Sequence, residues 1–308
     1  MRKSVFALLL VLFTLSVSAQ ELSVASFNIK CGTSHGKGNV KSFNGWDDRK
    51  QYMFDLINYA AFDVLGAQEV RYGQLKDLAD ALPNYAYIGV GRDDGKTKGE
   101  FCPVFYRRDR LKLLDGGTFW LSETPEKVSK GWDGMCYRIC SWGYFQDKVT
   151  KVKFYFLNTH LDNRGAVAKT KGVELILKFI DERCKGAKVI VTGDMNVNQD
   201  SEWYKMFVAS GVLKDSFEAA RYRFAPSGTF STFTHTRYST NRIDHIFVSK
   251  EMTVQSYGVL TLHYWRATEE ENYQDTRFPA NIEKREIHLL SDHYPVHVKV
   301  WLKESKKR

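Results

Sequence analysis

The feature that most constrains this chain is a recurrence. Short apolar β-type runs are bordered, again and again, by residues able to hold a metal or move a proton. The run Leu22–Asn28 closes on Phe27-Asn28-Ile29-Lys30, and Val64–Ala67 passes into Gln68-Glu69. Val152–Thr159 leads to His160-Leu161-Asp162, and Val189–Thr192 to Gly193-Asp194-Met195-Asn196. Arg242-Ile243-Asp244 borders Ile243–Val248, and Ser291-Asp292-His293 precedes Val296–Trp301. Strand ends and the loops beside them are where a rigid scaffold presents working side chains.

Further β-type runs occur at Tyr85–Val90, Val104–Arg107, Leu111–Thr118, Ile139–Gln146 and Val254–Leu260. Helical periodicity spans Asp47–Tyr59, Tyr72–Leu82, Ala166–Arg183 and Glu202–Ala209. This mixture, with many hairpin-like neighbours, predicts a sandwich of two sheets flanked by helices. The apolar pattern runs from Leu22 to Trp301 without a linker, repeat or low-complexity stretch, so residues 20–308 are expected to form a single domain. The polar stretch Thr261–Leu290 is expected to be a surface loop over the site. An aromatic content of 14% suits β-rich cores and requires no ligand.

Residues 1–19 are set apart. Arg2 and Lys3 precede an apolar run, Val5–Leu15, and Val17-Ser18-Ala19 has the small residues of a cleavage site. The pattern predicts a secretory signal peptide, and with it a periplasmic or extracellular protein. The alternative is a buried N-terminal helix. Removing the leader leaves 43 basic against 36 acidic residues, a balance of +7. Such a surface favours acidic partners, although Lys303, Lys306, Lys307 and Arg308 account for part of it as a solvated tail. Export would permit disulfides. The five cysteines are odd in number and lack a CxxC pair, and Cys136 and Cys140 would either pair or lie buried.

Each bordering residue taken singly has an ordinary reading. Asn28 would cap a turn, Glu69 would face a helix N-terminus, and His160 would be a satisfied core histidine. Asp194 and Asn196 would form an Asx turn, Asp244 would pair with Arg242, and Asp292-His293 would cap the turn before Pro295. Together they supply what hydrolysis of a phosphate ester needs. Glu69, Asp292 and Asn28 offer hard oxygen ligands. Asp194 is a candidate base for water. His160, Asn196 and His293 are candidate donors to the charged phosphoryl group. Asp244 or Asp292 would orient a histidine. Oxygen ligands without thiolates favour Mg²⁺ or Mn²⁺ over zinc.

The series FNIK, QE, NTHLD, GDMN, RIDHIF and SDHYPV, in this order, resembles the endonuclease/exonuclease/phosphatase superfamily. That group includes pancreatic deoxyribonuclease, deadenylases, neutral sphingomyelinases and inositol-polyphosphate phosphatases. The resemblance runs from Leu22 to Leu302. It implies a four-layer α/β sandwich, two mixed β-sheets packed face to face with helices on the outer faces, and a metal site at one end. It also implies metal positions at Asn28, Glu69 and Asp292 and catalytic positions at His160, Asp194, Asn196, Asp244 and His293. Trp46–Lys50, Gly99–Tyr106 and Gly117–Ser122 are similar to an exported bacterial branch. Arg49, Glu100, Arg138 and Arg164 would line the substrate pocket, or the arginines would form surface ion pairs. The expected substrate is a phosphate ester: a nucleic acid, a lipid head group or a sugar phosphate. Tyr264, Trp265 and Tyr273 would suit a lipid surface, although ordinary packing within the loop is the favoured reading. The chain after FNIK lacks the stretch associated with abasic-site repair, and no basic track interleaved with aromatics marks a long nucleic-acid surface. The protein is expected to act as a monomer without a stable protein partner. The alternative to an enzyme is a catalytically silent module that binds a phosphorylated ligand.

Overall fold

The computed structural model describes residues 21–32, 45–236, 238–267 and 285–302. The expected signal peptide lies outside them.

Two sheets dominate. The first has seven strands in the order β10-β12-β15-β1-β2-β4-β3. These are β1 (Glu21–Asn28), β2 (Val64–Gln68), β3 (Tyr85–Ile88), β4 (Val104–Arg107), β10 (Tyr222–Phe224), β12 (Thr253–Val259) and β15 (Val296–Trp301). The second has six, in the order β5-β6-β7-β8-β11-β9. These are β5 (Leu111–Trp120), β6 (Ile139–Asp147), β7 (Lys153–His160), β8 (Lys188–Asp194), β9 (Leu213–Asp215) and β11 (Asp244–Ser249). Helices α1 (Trp46–Ala60) and α2 (Tyr72–Ala81) cover the first sheet, and α3 (Ala166–Arg183) and α4 (Glu202–Ala209) the second. A short helix, α5 (Ser216–Ala219), follows β9.

Strand periodicity explains the layering, because alternate side chains face opposite sides of a sheet. In β1, Leu22 and Val24 enter the layer between the sheets, whereas Ala25 and Phe27 meet α1 and α2. In β7, Phe154 and Phe156 point between the sheets and Leu157 packs under α3. Ile190, Ile246, Val248, Val296, Val298 and Val300 complete the central layer. The strands therefore read as nearly continuous apolar runs, since both faces are covered. Fully burying each such side chain contributes about 1.5–3 kcal/mol. The layering is the four-layer α/β sandwich expected from the sequence.

The segment expected to be a surface loop differs in part. Residues 263–267 (β13, His263–Ala267) and 285–289 (β14, Arg285–Leu289) form an antiparallel ribbon, and the intervening residues, including Tyr273, lie outside the described residues. Tyr264 is buried and stacks on Tyr52 at 4.3 Å between ring centroids, so it is not available to a lipid surface. Trp265 is half exposed. All five cysteines are free thiols, and Cys140 is buried while Cys136 is partly open.

Candidate active site

The same alternation that fills the central layer turns polar at one end. On the inner face of β1, Leu22 and Val24 are followed by Ser26 and Asn28. On β7, Phe154 and Phe156 give way to Asn158 and His160. On β8, Ile190 gives way to Thr192 and Asp194. Register then aligns the working groups. His160 lies opposite Asp194, and Asp194 opposite Asp244, across three adjacent strands.

Beneath this row a buried polar layer ties the sheets together. Gln68 Nε2 donates to Asn158 Oδ1 (2.7 Å), as does Thr192 Oγ1 (3.1 Å). Asn158 Nδ2 donates to the carbonyls of Ala67 (2.8 Å) and Pro103 (3.0 Å). Gly66 is required here, since a Cβ would lie 2.3 Å from Thr192 Oγ1.

Above it the site residues converge. Asn28 Nδ2 donates to Asp194 Oδ2 (2.9 Å) and to Glu69 Oε1 (3.1 Å). His160 Nε2 and His293 Nε2 stand 3.4 and 3.6 Å from the same Asp194 oxygen. His293 Nδ1 donates to Asp244 Oδ2 at 2.8 Å, so Asp244 orients this histidine, and Arg242 pairs instead with Asp215. Thr229 Oγ1 accepts from the N–H of Asp244 (3.0 Å), and Ser291 Oγ donates to the carbonyl of Asn28 (2.7 Å). The backbone N–H of Asn196 donates to Asp194 Oδ1, and its side-chain amide to the carbonyl of Leu161. Glu69 and Asn196 both hold positive φ, 60° and 50°, a conformation non-glycine residues keep only where their surroundings enforce it.

Burial pushes the Asp194 carboxyl up to about 6. His293 is raised to about 10: burial opposes its charge, but Asp244 and Asp194 overcome it. His160 goes the other way, held well below the ordinary histidine range by burial and by Arg138, against Glu69. Glu69 falls to about 2 despite its burial, drawn down by the Lys30 ammonium and the N–H groups of Asn28 and Cys31. The half-buried Glu69 and the buried His160 and Asp194 bring ligand atoms within 4.8 Å of one another, and so do the buried Asp194, Asp244 and His293.

Asp292 stands beside this cluster. Its Oδ2 pairs with Lys30 Nζ at 3.0 Å, and the same ammonium lies 3.6 Å from Glu69 Oε2. Lys30 thus shows that Glu69 and Asp292 face a common cation position, and an all-oxygen pair of this kind fits a hard divalent ion.

The expected pocket residues separate. Arg138 is buried beside His160 and reaches Asp162 Oδ2 at 3.4 Å. Glu100 sits at the rim, 2.6 Å from Arg92. Arg164 is exposed on the loop after β7. Arg49 is neither a pocket residue nor a surface ion pair. It is 1% exposed, and its guanidinium donates to the carbonyls of Ile29, Lys30 (2.8 Å) and Leu290 (2.8 Å), which fixes the loop after β1. Lys30, Arg92, Gln68 and Asn158 were not singled out from sequence. The inner-face alternation would have found Asn158 and Gln68, and nothing local marks Arg92.

A two-sheet sandwich with this histidine–carboxylate cluster at one end defines a phosphoesterase-type hydrolase scaffold. A family model described as the endonuclease/exonuclease/phosphatase family matches residues 25–293, and the chain belongs to that family, whose members hydrolyse phosphate esters. A family protein from Bacteroides thetaiotaomicron is 41% identical with a TM-score of 0.84, covering 92% of this chain and 99% of that one. A mannosyl-6-phosphatase of the same organism is 42% identical with a TM-score of 0.83, covering 91% and 99%. Among curated relatives, an uncharacterized protein of Acanthamoeba polyphaga mimivirus is 27% identical over 161 residues, 50% of this chain; the match spans 60% of that relative's length.

Proposed function

We propose that this chain is a divalent-metal-dependent phosphoesterase that cleaves a phosphate ester by attack of water, with a sugar phosphate monoester as its leading substrate class. The observation that carries the reading is the convergence of Asn28, Glu69, His160, Asp194, Asp244 and His293 at one end of the two sheets. The likeness to a mannosyl-6-phosphatase over nearly its whole length supports the substrate class.

Glu69 and Asp292, with Asn28 beside them, would hold Mg²⁺ or Mn²⁺, which when bound neutralises charge on a phosphoryl oxygen. Asp194, raised to about 6, accepts the proton of the attacking water, and Asn28 fixes the carboxylate's direction. His293 carries its proton through the neutral range and, steered by Asp244, donates toward the phosphoryl oxygens. His160 is held neutral, which suits an N–H donor to the phosphoryl group rather than an acid toward the leaving group. Because these groups stand together, in-line attack directs the leaving alcohol toward the rim, where solvent supplies its proton. The basic, apolar and small-residue pattern of residues 2–19 supports export of the mature chain.

The test is phosphate release from mannose 6-phosphate, p-nitrophenyl phosphate, bis-p-nitrophenyl phosphate, DNA, RNA, sphingomyelin and an inositol polyphosphate, with Mg²⁺ or Mn²⁺ and with EDTA. Chelator-sensitive turnover of monoesters is expected. A folded, metal-binding protein that turns over nothing in the panel would overturn the enzyme reading in favour of a silent phospholigand-binding module.

A further inference from the structure

The connection between β3 and β4 carries a charged pair that the chemistry above does not use. Residues 91–100 fold back on themselves. Gly91, Arg92 and Asp93 donate backbone bonds to Lys96, Glu100 and Lys98 (3.0–3.1 Å), and Asp94 Oδ1 accepts from the N–H groups of Lys96 and Lys98. Gly99 has φ +81°, and a Cβ there would meet the Asp93 carboxyl at 2.5 Å. The loop thus has one shape, and it sets Arg92 Nη1 2.6 Å from Glu100 Oε2.

The pair sits at the edge of the site. Val70 and Phe101 bridge through paired backbone bonds directly after Glu69 and Glu100, and Arg71 Nη2 approaches Glu100 Oε1 at 3.6 Å. Both side chains remain 12% exposed. Arg92 Nε is buried and lacks a hydrogen bond among the described residues, with the Asp93 carboxylate 3.8 Å away, and His160 Nδ1 is likewise buried without one. Buried donors are nearly always satisfied, so an orphan beside a reaction centre points to a ligand group that completes it.

We propose that Arg92 and Glu100 form the leaving-group subsite and select a polyhydroxylated alcohol. The inference rests on the phosphoesterase reading above. A carboxylate only accepts hydrogen bonds, so Glu100 takes the hydroxyls of a sugar, while Arg92 donates to a neighbouring hydroxyl oxygen.

The experiment compares kcat/KM of the Mn²⁺-loaded protein and its Glu100→Gln and Arg92→Lys variants on mannose 6-phosphate and p-nitrophenyl phosphate, with thermal melting as the fold control. Sites built to bond hydroxyls discriminate strongly, so each variant should lose at least about tenfold more on the sugar phosphate than on the aryl phosphate. Equal losses on both substrates, or none on either, would overturn the subsite and leave the phosphoesterase reading standing. A wild-type protein that cleaves only DNA or RNA, or nothing, would overturn the sugar-phosphate reading itself and the subsite with it.

Discussion

His293 and His297 lie four residues apart, the first buried and the second partly buried, and are tuned in opposite directions. His293 faces Asp244 and Asp194 and is raised to about 10. His297, on β15, bonds Ser23 Oγ at 2.9 Å, packs edge-on against Phe62, and is lowered to about 4 by burial and by Lys299. The contrast extends to the regions they represent. Along the same strands, the central layer is filled by Phe154, Phe156, Ile190 and Ile246, and the site end by Asn158, His160, Thr192 and Asp194. One sandwich therefore has an end built for stability and an end where buried charge is retained for chemistry, at a cost in stability that the apolar layer offsets.

The sharpest way to separate the two regions is Asp194→Asn. Removing the base should lower kcat/KM by roughly three to four orders of magnitude. The melting temperature should hold or rise, because a buried acid is gone. Activity within tenfold of wild type in a folded variant would dismiss Asp194 as the base. Phe156→Ala probes the other region and should cost about 3–4 kcal/mol in urea unfolding, with the specific activity of the folded fraction retained. A loss of activity without a loss of stability would mean that the apolar layer and the site are not separable.

The polar layer between them is tested by Gly66→Ala. Its Cβ would meet Thr192 Oγ1 at 2.3 Å and Asn158 Oδ1 at 2.5 Å, both held by further hydrogen bonds. Overpacking of this kind should cost about 1–3 kcal/mol, with a fall in activity as the strands beneath Asp194 shift. An unchanged unfolding midpoint would mean the sheets separate here without penalty.

The last test concerns His297 and touches stability alone. Its folded pKa is depressed, so the unfolded chain binds the extra proton between about pH 6.5 and 4. The stability this histidine permits is present above 6.5 and lost as pH falls through that window, by at most about 3 kcal/mol. His297→Gln should flatten this part of the profile, measured as the difference in urea midpoints between pH 7 and pH 5. An identical pH dependence in both proteins would assign the titration elsewhere.

Much of this architecture was legible along the chain. Strands β1, β2, β7, β8, β11 and β15 follow from their apolar runs, and helices α1 to α4 from their periodicity, because covered strands and amphipathic helices carry their environment in local pattern. The residues bordering those runs supplied the site's candidates. Local pattern fails where a side chain's partner is remote. Arg49 was expected at the pocket, but the carbonyl of Leu290, 241 positions away, holds it in the interior. Tyr264 was expected to pack within its segment, and only the fold names Tyr52 as the ring that covers it. From the residues alone either Asp244 or Asp292 could orient a histidine, and the family resemblance favoured Asp244; the fold names His293 as its partner and sets Asp292 against Lys30.

The sequence by itself determined which residue types stand at which strand ends, since hydrophobic alternation and turn chemistry are short-range. Only the tertiary structure decided which of them share an oxygen of Asp194, which histidine is charged, and that Arg92 joins the rim. Those properties depend on strand register, burial and the distance between charges, and these are fixed only when the two sheets close on each other.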